Sequence, residues 1–261
     1  MAGSRHEGAA RLACALGAVL LLAGTLVACT TPASGPPVLY PVDYTPQCNA
    51  PDPEDCVDVL VFGDSLGTNP GRYVKSRWQD LVATDLAGGD PEAVVRRYFD
   101  GSILGEGEVT QWDFARAGFS AAMWMDLPQY LPDPAGIGEV DVLVLALGVN
   151  DEGQNVPPAR YGEALGQLVD LYPAQRCVII GQWEWSAVHQ QTAGLNFKYR
   201  APLYRVEAEA TATAKGCAYV DMTEMVTNGV AEAPESYDGL HMSDEGHAEL
   251  GALVLDALAA P

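Results

Sequence analysis

From Val57 onward, short apolar runs alternate with longer stretches whose apolar residues recur at helical spacing. Val57–Phe62 reads as a strand, Arg72–Leu86 as a helix with Val74, Trp78, Leu81 and Val82 on one side, and Val109–Ala115 as a weaker strand. Val140–Leu147 is almost uniformly apolar, the pattern of a strand buried on both faces. Tyr161–Leu171 follows as a helix, Val178–Gly181 as a strand, Phe197–Lys215 as a long helix and Ala218–Asp221 as a short strand. Ser243 is placed to cap a terminal helix running to Leu258. Apolar strands alternating with helices predict a parallel sheet covered on both faces. Two stretches do not fit the alternation, Ala87–Glu108 and Gln182–Asn196, and are expected as excursions at the sheet edge.

The beginning of the chain follows another rule. Arg5 and Arg11 precede Leu12–Ala28, 17 residues without a charge, which reads as an export signal over 1–28. That run ends Leu26-Val27-Ala28-Cys29 and resembles the bacterial lipobox, in which the Cys takes a diacylglyceryl group and becomes the new N-terminus. Two acyl chains hold a protein on a bilayer, since each buried methylene contributes about 0.8 kcal/mol. Ordinary cleavage nearby, or an uncleaved anchor, are the other readings. Thr30–Pro37 is rich in Pro, Ser and Gly, so residues 29–50 are expected to form a lipidated tether ahead of a domain at 51–261. With Cys14 in the signal and Cys29 at the lipid site, Cys48, Cys56, Cys177 and Cys217 remain, an even number that suits two disulfides in an oxidising compartment. Three connectivities are open. Cys177 and Cys217 each precede a predicted strand and could face each other, and Cys48–Cys56 would close a short loop. Zinc is disfavoured, because there is no CxxC pair and only 4 His.

Charge narrows the function classes. Lys+Arg is 14 against Asp+Glu 35, a net charge of -21. Such a surface repels phosphate backbones and is unsuited to nucleic acid or to polybasic docking on anionic lipid.

Open parallel sheets bind ligands beyond the carboxyl ends of their strands. Gly63-Asp64-Ser65-Leu66 follows the first strand, Arg116-Ala117-Gly118 the second and Gly148-Val149-Asn150-Asp151 the third, while Asp238-Gly239-Leu240-His241 precedes the last helix. One rim thus gathers the parts for acyl transfer through a serine. Ser65 is the candidate nucleophile and His241 its base. Asp238, three residues earlier, can orient the imidazole or else cap the following turn. The backbone N–H groups of Ser65 and Gly118 and the side-chain amide of Asn150 are candidate oxyanion donors, each worth about 2.7–4 kcal/mol of barrier.

In these four blocks the chain resembles the SGNH (GDSL-type) hydrolases over about Val57–Leu258. The resemblance implies a three-layer α/β/α sandwich with a five-stranded parallel sheet. It also implies an ester hydrolase with the triad Ser65, Asp238 and His241, the oxyanion donors Ser65, Gly118 and Asn150, and no metal or cofactor. Asp64 and Asp151 are expected to hold loop backbone, and His247 to pack or cap. Trp183 and Trp185, with Trp124 as a companion, are candidate walls for a sugar or acyl chain. Arg116 is expected to pair with the acidic surface, and Met123 and Met125 to pack locally. The expected protein is an exported, membrane-anchored or extracellular monomeric esterase acting on an ester of lipid or carbohydrate. A cell-envelope acyltransferase using the same triad, or a non-catalytic surface-binding lipoprotein, are the alternatives.

Overall fold

A computed structural model of the chain describes residues 56–68, 77–98, 103–182, 200–223 and 240–260. The signal, Cys29, Cys48, Trp183, Trp185 and Asp238 lie outside the described residues. Seven strands form one sheet: β1 (Val57–Gly63), β2 (Val94–Tyr98), β3 (Ile103–Leu104), β4 (Val109–Ala115), β5 (Val140–Ala146), β6 (Ala174–Ile180) and β7 (Ala218–Val220), in the order β3-β2-β4-β1-β5-β6-β7. Only β3 is antiparallel, paired with β2 at the edge. The five expected strands are present. The count of five is corrected by β2 and β3, which arise from the excursion at 87–108. Charge hid β2: its Arg96 and Arg97 break the apolar pattern, yet Arg97 is buried with its guanidinium 4.6 Å from the centre of the Trp112 ring.

The helices are α1 (Ser65–Thr68), α2 (Trp78–Leu86), α3 (Ala121–Asp126), α4 (Pro134–Ile137), α5 (Val149–Gly153), α6 (Pro158–Leu171), α7 (Ala201–Lys215) and α8 (Asp244–Ala259). Strand alternation sorts the core into two layers. Val59 and Val61 of β1 and Val142 and Val144 of β5 pack with Trp78 and Val82 of α2 and with Leu250 and Val254 of α8. Leu60, Phe62, Leu143 and Leu145 face the other way, onto Trp124 of α3, Leu165 of α6 and Tyr204 of α7. Burying each such large apolar side chain stabilises the fold by roughly 1.5–3 kcal/mol. Among the described residues, no helix is long and apolar enough to cross a membrane.

Two further links tie elements distant in sequence together. Cys177 of β6 and Cys217, just before β7, form a disulfide across neighbouring parallel strands. It spans a sequence separation of 40, and in the chain-entropy account a loop of that size lowers unfolded-state entropy by about 4 kcal/mol. Cys56 is also disulfide-bonded, and its partner lies outside the described residues.

The second link is His247. Ser243 caps α8 by accepting from Gly246 N–H, which puts His247 on the buried side of that helix, 2% exposed. Its Nδ1 accepts the N–H of Trp78 at 3.1 Å. Trp78 opens α2, where Arg77 gives no side-chain cap, so His247 satisfies one of that helix's orphan donors. Burial lowers the His247 pKa to about 4, and the Arg77 charge pushes the same way. The unfolded chain therefore takes up this proton first. The His247 contribution is complete above about pH 6.5, is lost as pH falls toward 4, and amounts to about 3 kcal/mol. In urea unfolding, the stability gap between native protein and His247→Gln should shrink by up to that amount from pH 7 to pH 4.5. A gap independent of pH would contradict the link.

Candidate active site

The site is built on a row of level strand ends. Gly63 of β1 is in register with Ala115 of β4 on one side and Ala146 of β5 on the other. The chain leaves the sheet at the same height three times. It then enters α1 with Ser65, the turn of Gly118, and α5 with Asn150.

At α1 the Asp64 side chain bridges the turn. Its Oδ1 accepts Leu66 N–H at 2.8 Å and its carbonyl accepts Gly67 N–H at 3.1 Å. Ser65 is therefore the first residue of a helical turn already closed around it, and Thr68 Oγ1 donates to its carbonyl. Asp64 holds backbone, as its position beside the serine suggested.

The α5 turn grips the Gly118 loop. Asn150 Nδ2 donates to Phe119 O at 3.0 Å, and Gln154 Nε2 donates to Gly118 O at 2.8 Å. Asp151 accepts the N–H groups of Ala121 and Ala122, at 2.8 and 3.2 Å, at the start of α3. An amide carries two N–H donors, so Asn150 can hold Phe119 and still offer a hydrogen outward. Gly118 has φ +80 and stands in an exposed turn. Gly148 opens α5 at φ +137, and a Cβ there would lie 3.0 Å from Tyr161 Oη. That tyrosine donates to Leu147 O and seals the end of β5. The role of Gln154 was invisible in sequence, because its partner is 36 residues away.

On the opposite flank His241 precedes α8, half-buried. A narrow, mostly apolar pocket lies between the two flanks. Asp64 and Leu66, on either side of Ser65, line it together with Ile180, Gln182, Met222 and Met242, the residue after His241. The serine and histidine segments therefore border one space at the carboxyl edge of the sheet.

Other expected site residues lie elsewhere. Trp124 does not line the rim, which corrects its assignment as a wall. It is fully buried on α3, edge-on to Phe62 with centroids 5.2 Å apart, because the α3 turn points it into the core. Arg116 lies over the rings of Phe119 and Tyr130, at 4.3 and 4.5 Å from their centres. Met123 and Met125 pack locally against the same core. No group of three or more metal-ligating side chains occurs among the described residues.

Two carboxyls beneath the rim are electrically unusual. Burial raises the Asp64 pKa to about 7 against the pull of Leu66 N–H, and nearby Asp151 adds to the rise. Burial raises Asp151 to about 6 against its two backbone donors. Asp64 is 1% exposed, and its Oδ2 has no hydrogen-bond partner.

The pattern of the GDSL-like Lipase/Acylhydrolase family matches residues 61–249. The chain belongs to this family. As a GDSL-type acylhydrolase it is a carboxylic ester hydrolase by class. Solved structures share the fold. A lipase/acylhydrolase from Enterococcus faecalis aligns at TM-score 0.54 and 19% identity, covering 77% of this chain and 94% of its own. An acetylxylan esterase from Geobacillus stearothermophilus gives 0.54 and 16%, covering 78% and 95%. An α/β hydrolase from the metagenome of Lake Arreo, Spain, gives 0.54 and 16%, covering 77% and 94%. No curated protein matches the chain in sequence.

Asp64 yields a pH signature. Its folded pKa lies above its unfolded value, so its contribution to stability is present below about pH 4 and is lost as pH rises through about 7. The span corresponds to about 4 kcal/mol. Asp64→Asn keeps an acceptor for Leu66 and removes the charge. Its stability relative to the native protein should rise between pH 4.5 and pH 8 in urea titrations. Parallel curves would contradict a buried, proton-retaining Asp64.

Proposed function

We propose that this acylhydrolase is an exported, lipid-anchored serine esterase acting on short-chain carboxylic esters of carbohydrate or lipid. The observation that carries the reading is the shared cavity, whose wall includes both neighbours of Ser65 and the neighbour of His241.

In this mechanism His241 takes the hydroxyl proton as Ser65 Oγ attacks the ester carbonyl carbon. Asp238 holds the imidazole and stabilises its charged form. Charge on the carbonyl oxygen meets the N–H groups of Ser65 and Gly118 and the free hydrogen of Asn150. The grip of α5 on residues 118–122 fixes the Gly118 and Asn150 donors before the substrate arrives. The carbon–oxygen bond breaks, and the alcohol leaves with the proton from His241. Water, deprotonated by His241, then attacks the acyl-enzyme and releases the acid and Ser65.

The short-chain preference rests on a structural neighbour named for acetyl esters. The acetylxylan esterase among the structural neighbours makes acetylated carbohydrate a natural first substrate to try. Trp183 and Trp185, following Gln182 of the cavity wall, are the candidate sugar platforms. Export and anchoring rest on the charge-free run Leu12–Ala28 and on Cys29.

Hydrolysis of a p-nitrophenyl ester series from acetate to palmitate tests the chemistry. The rate should peak at the short esters and fall by about 10³-fold or more in Ser65→Ala, with the thermal midpoint unchanged. Activity surviving in Ser65→Ala would remove the nucleophile assignment, and a maximum at palmitate would remove the short-chain assignment. In a bacterial host, mass spectrometry should find a diacylglyceryl group on Cys29, and Cys29→Ala should leave the membrane fraction. An unmodified Cys29 would contradict anchoring.

A further inference from the structure

The four-residue turn α1 ends with carbonyls that no later turn of its own helix can satisfy. One of them, Gly67 O, is met from outside by two side chains. Gln79 Nε2 of α2 donates to it at 2.7 Å, and Arg77 Nη1 donates at 3.3 Å. Gln79 is 0% exposed. Arg77 is itself fixed, paired with Asp113 of β4 and with Asp80, while Asp113 Oδ1 accepts Ala115 N–H. Ala115 is the strand end in register with Gly63. Gly67 is clasped so closely that a Cβ on it would lie 3.0 Å from Gln79 Nε2 and 3.1 Å from the Ala115 Cβ.

We infer that Gln79, seconded by Arg77, is a positioning residue for the nucleophile. By holding Gly67 O it sets the pitch and rotation of the turn that begins with Ser65. The inference rests on the assignment of Ser65 as nucleophile. Among the described residues, Ser65 is fixed upstream by the sheet through Gly63 and downstream by this clasp and the local turn bonds. With the clasp gone, α1 keeps its internal bonds but can tilt on the strand end. A displacement of about 1 Å costs about 10²-fold in a positioned reaction. Substrate binding in the cavity, which Gln79 does not line, is unaffected.

The test compares Gln79→Met, which keeps length and removes the donor, with Gln111→Met. Gln111 is equally buried on β4, and both polar atoms of its side chain are without partners. The readouts are kcat and KM on a p-nitrophenyl ester and the rate at which a fluorophosphonate labels Ser65. Gln79→Met should lose about 10–100-fold in kcat, with KM within about twofold. It should slow labelling by the same factor, while Gln111→Met keeps the native rates. Gly67→Ala, which wedges the clasp apart from the other side, should repeat the kcat loss and covers the case in which Gln79→Met does not fold. Native kcat and labelling in folded Gln79→Met, or in folded Gly67→Ala, would overturn the positioning role. If the native protein is not labelled at Ser65, the nucleophile assignment falls and this inference with it. Labelled native protein with unslowed variants removes the inference alone.

Discussion

The constraint on which the rest depends is the shared register of β1, β4 and β5 at Gly63, Ala115 and Ala146. Parallel pairing leaves three strand ends side by side at one height. All three ends are small residues, so the turns above them can approach one another. Each turn then needs only local bonds to aim its functional group. Asp64 closes the serine turn. Asn150, Asp151 and Gln154 close the glycine loop onto α5. The sheet supplies position and the turns supply direction, which is why loops on such a sheet can carry function without being loose.

The electrostatics below the rim follow from the same packing. Asp64 and Asp151 are carried into the interior by the ends of β1 and the start of α5, and burial makes both hold protons more tightly. His247 on α8 is buried too, and burial there makes it release its proton. The carboxyls and the imidazole thus work in opposite senses. Acid exposure costs the α2–α8 contact, while alkaline exposure charges the turn that carries Ser65.

Much of this was legible in the chain itself. Uniformly apolar Val140–Leu147 and Val178–Gly181 announced buried strands, and Ser243 announced the start of α8. The blocks at Gly63, Gly118 and Gly148 marked the rim because each follows a strand. What could not be read depended on distant partners. β2 was obscured because Arg96 and Arg97 look like solvent residues until Trp112 and Asp80 are beside them. Trp124 sits where a pocket wall was expected, but α3 is one and a half turns long and turns the ring inward, onto Phe62 and Phe119. Gln79 and Gln154 carry no sequence mark at all, since a glutamine tethering a carbonyl looks like any other glutamine until the fold brings the carbonyl to it.

The His247–Trp78 bond also bears on the order in which the molecule can be completed. The residue that caps α2 lies 169 positions further along the chain. During synthesis α2 emerges first and waits for a partner made 169 residues later. Domains generally fold as units once their chain is available. Here the α2–α8 layer cannot close until the whole 169-residue span between Trp78 and His247 has been made, so a growing polypeptide that lacks α8 stays short of its native state.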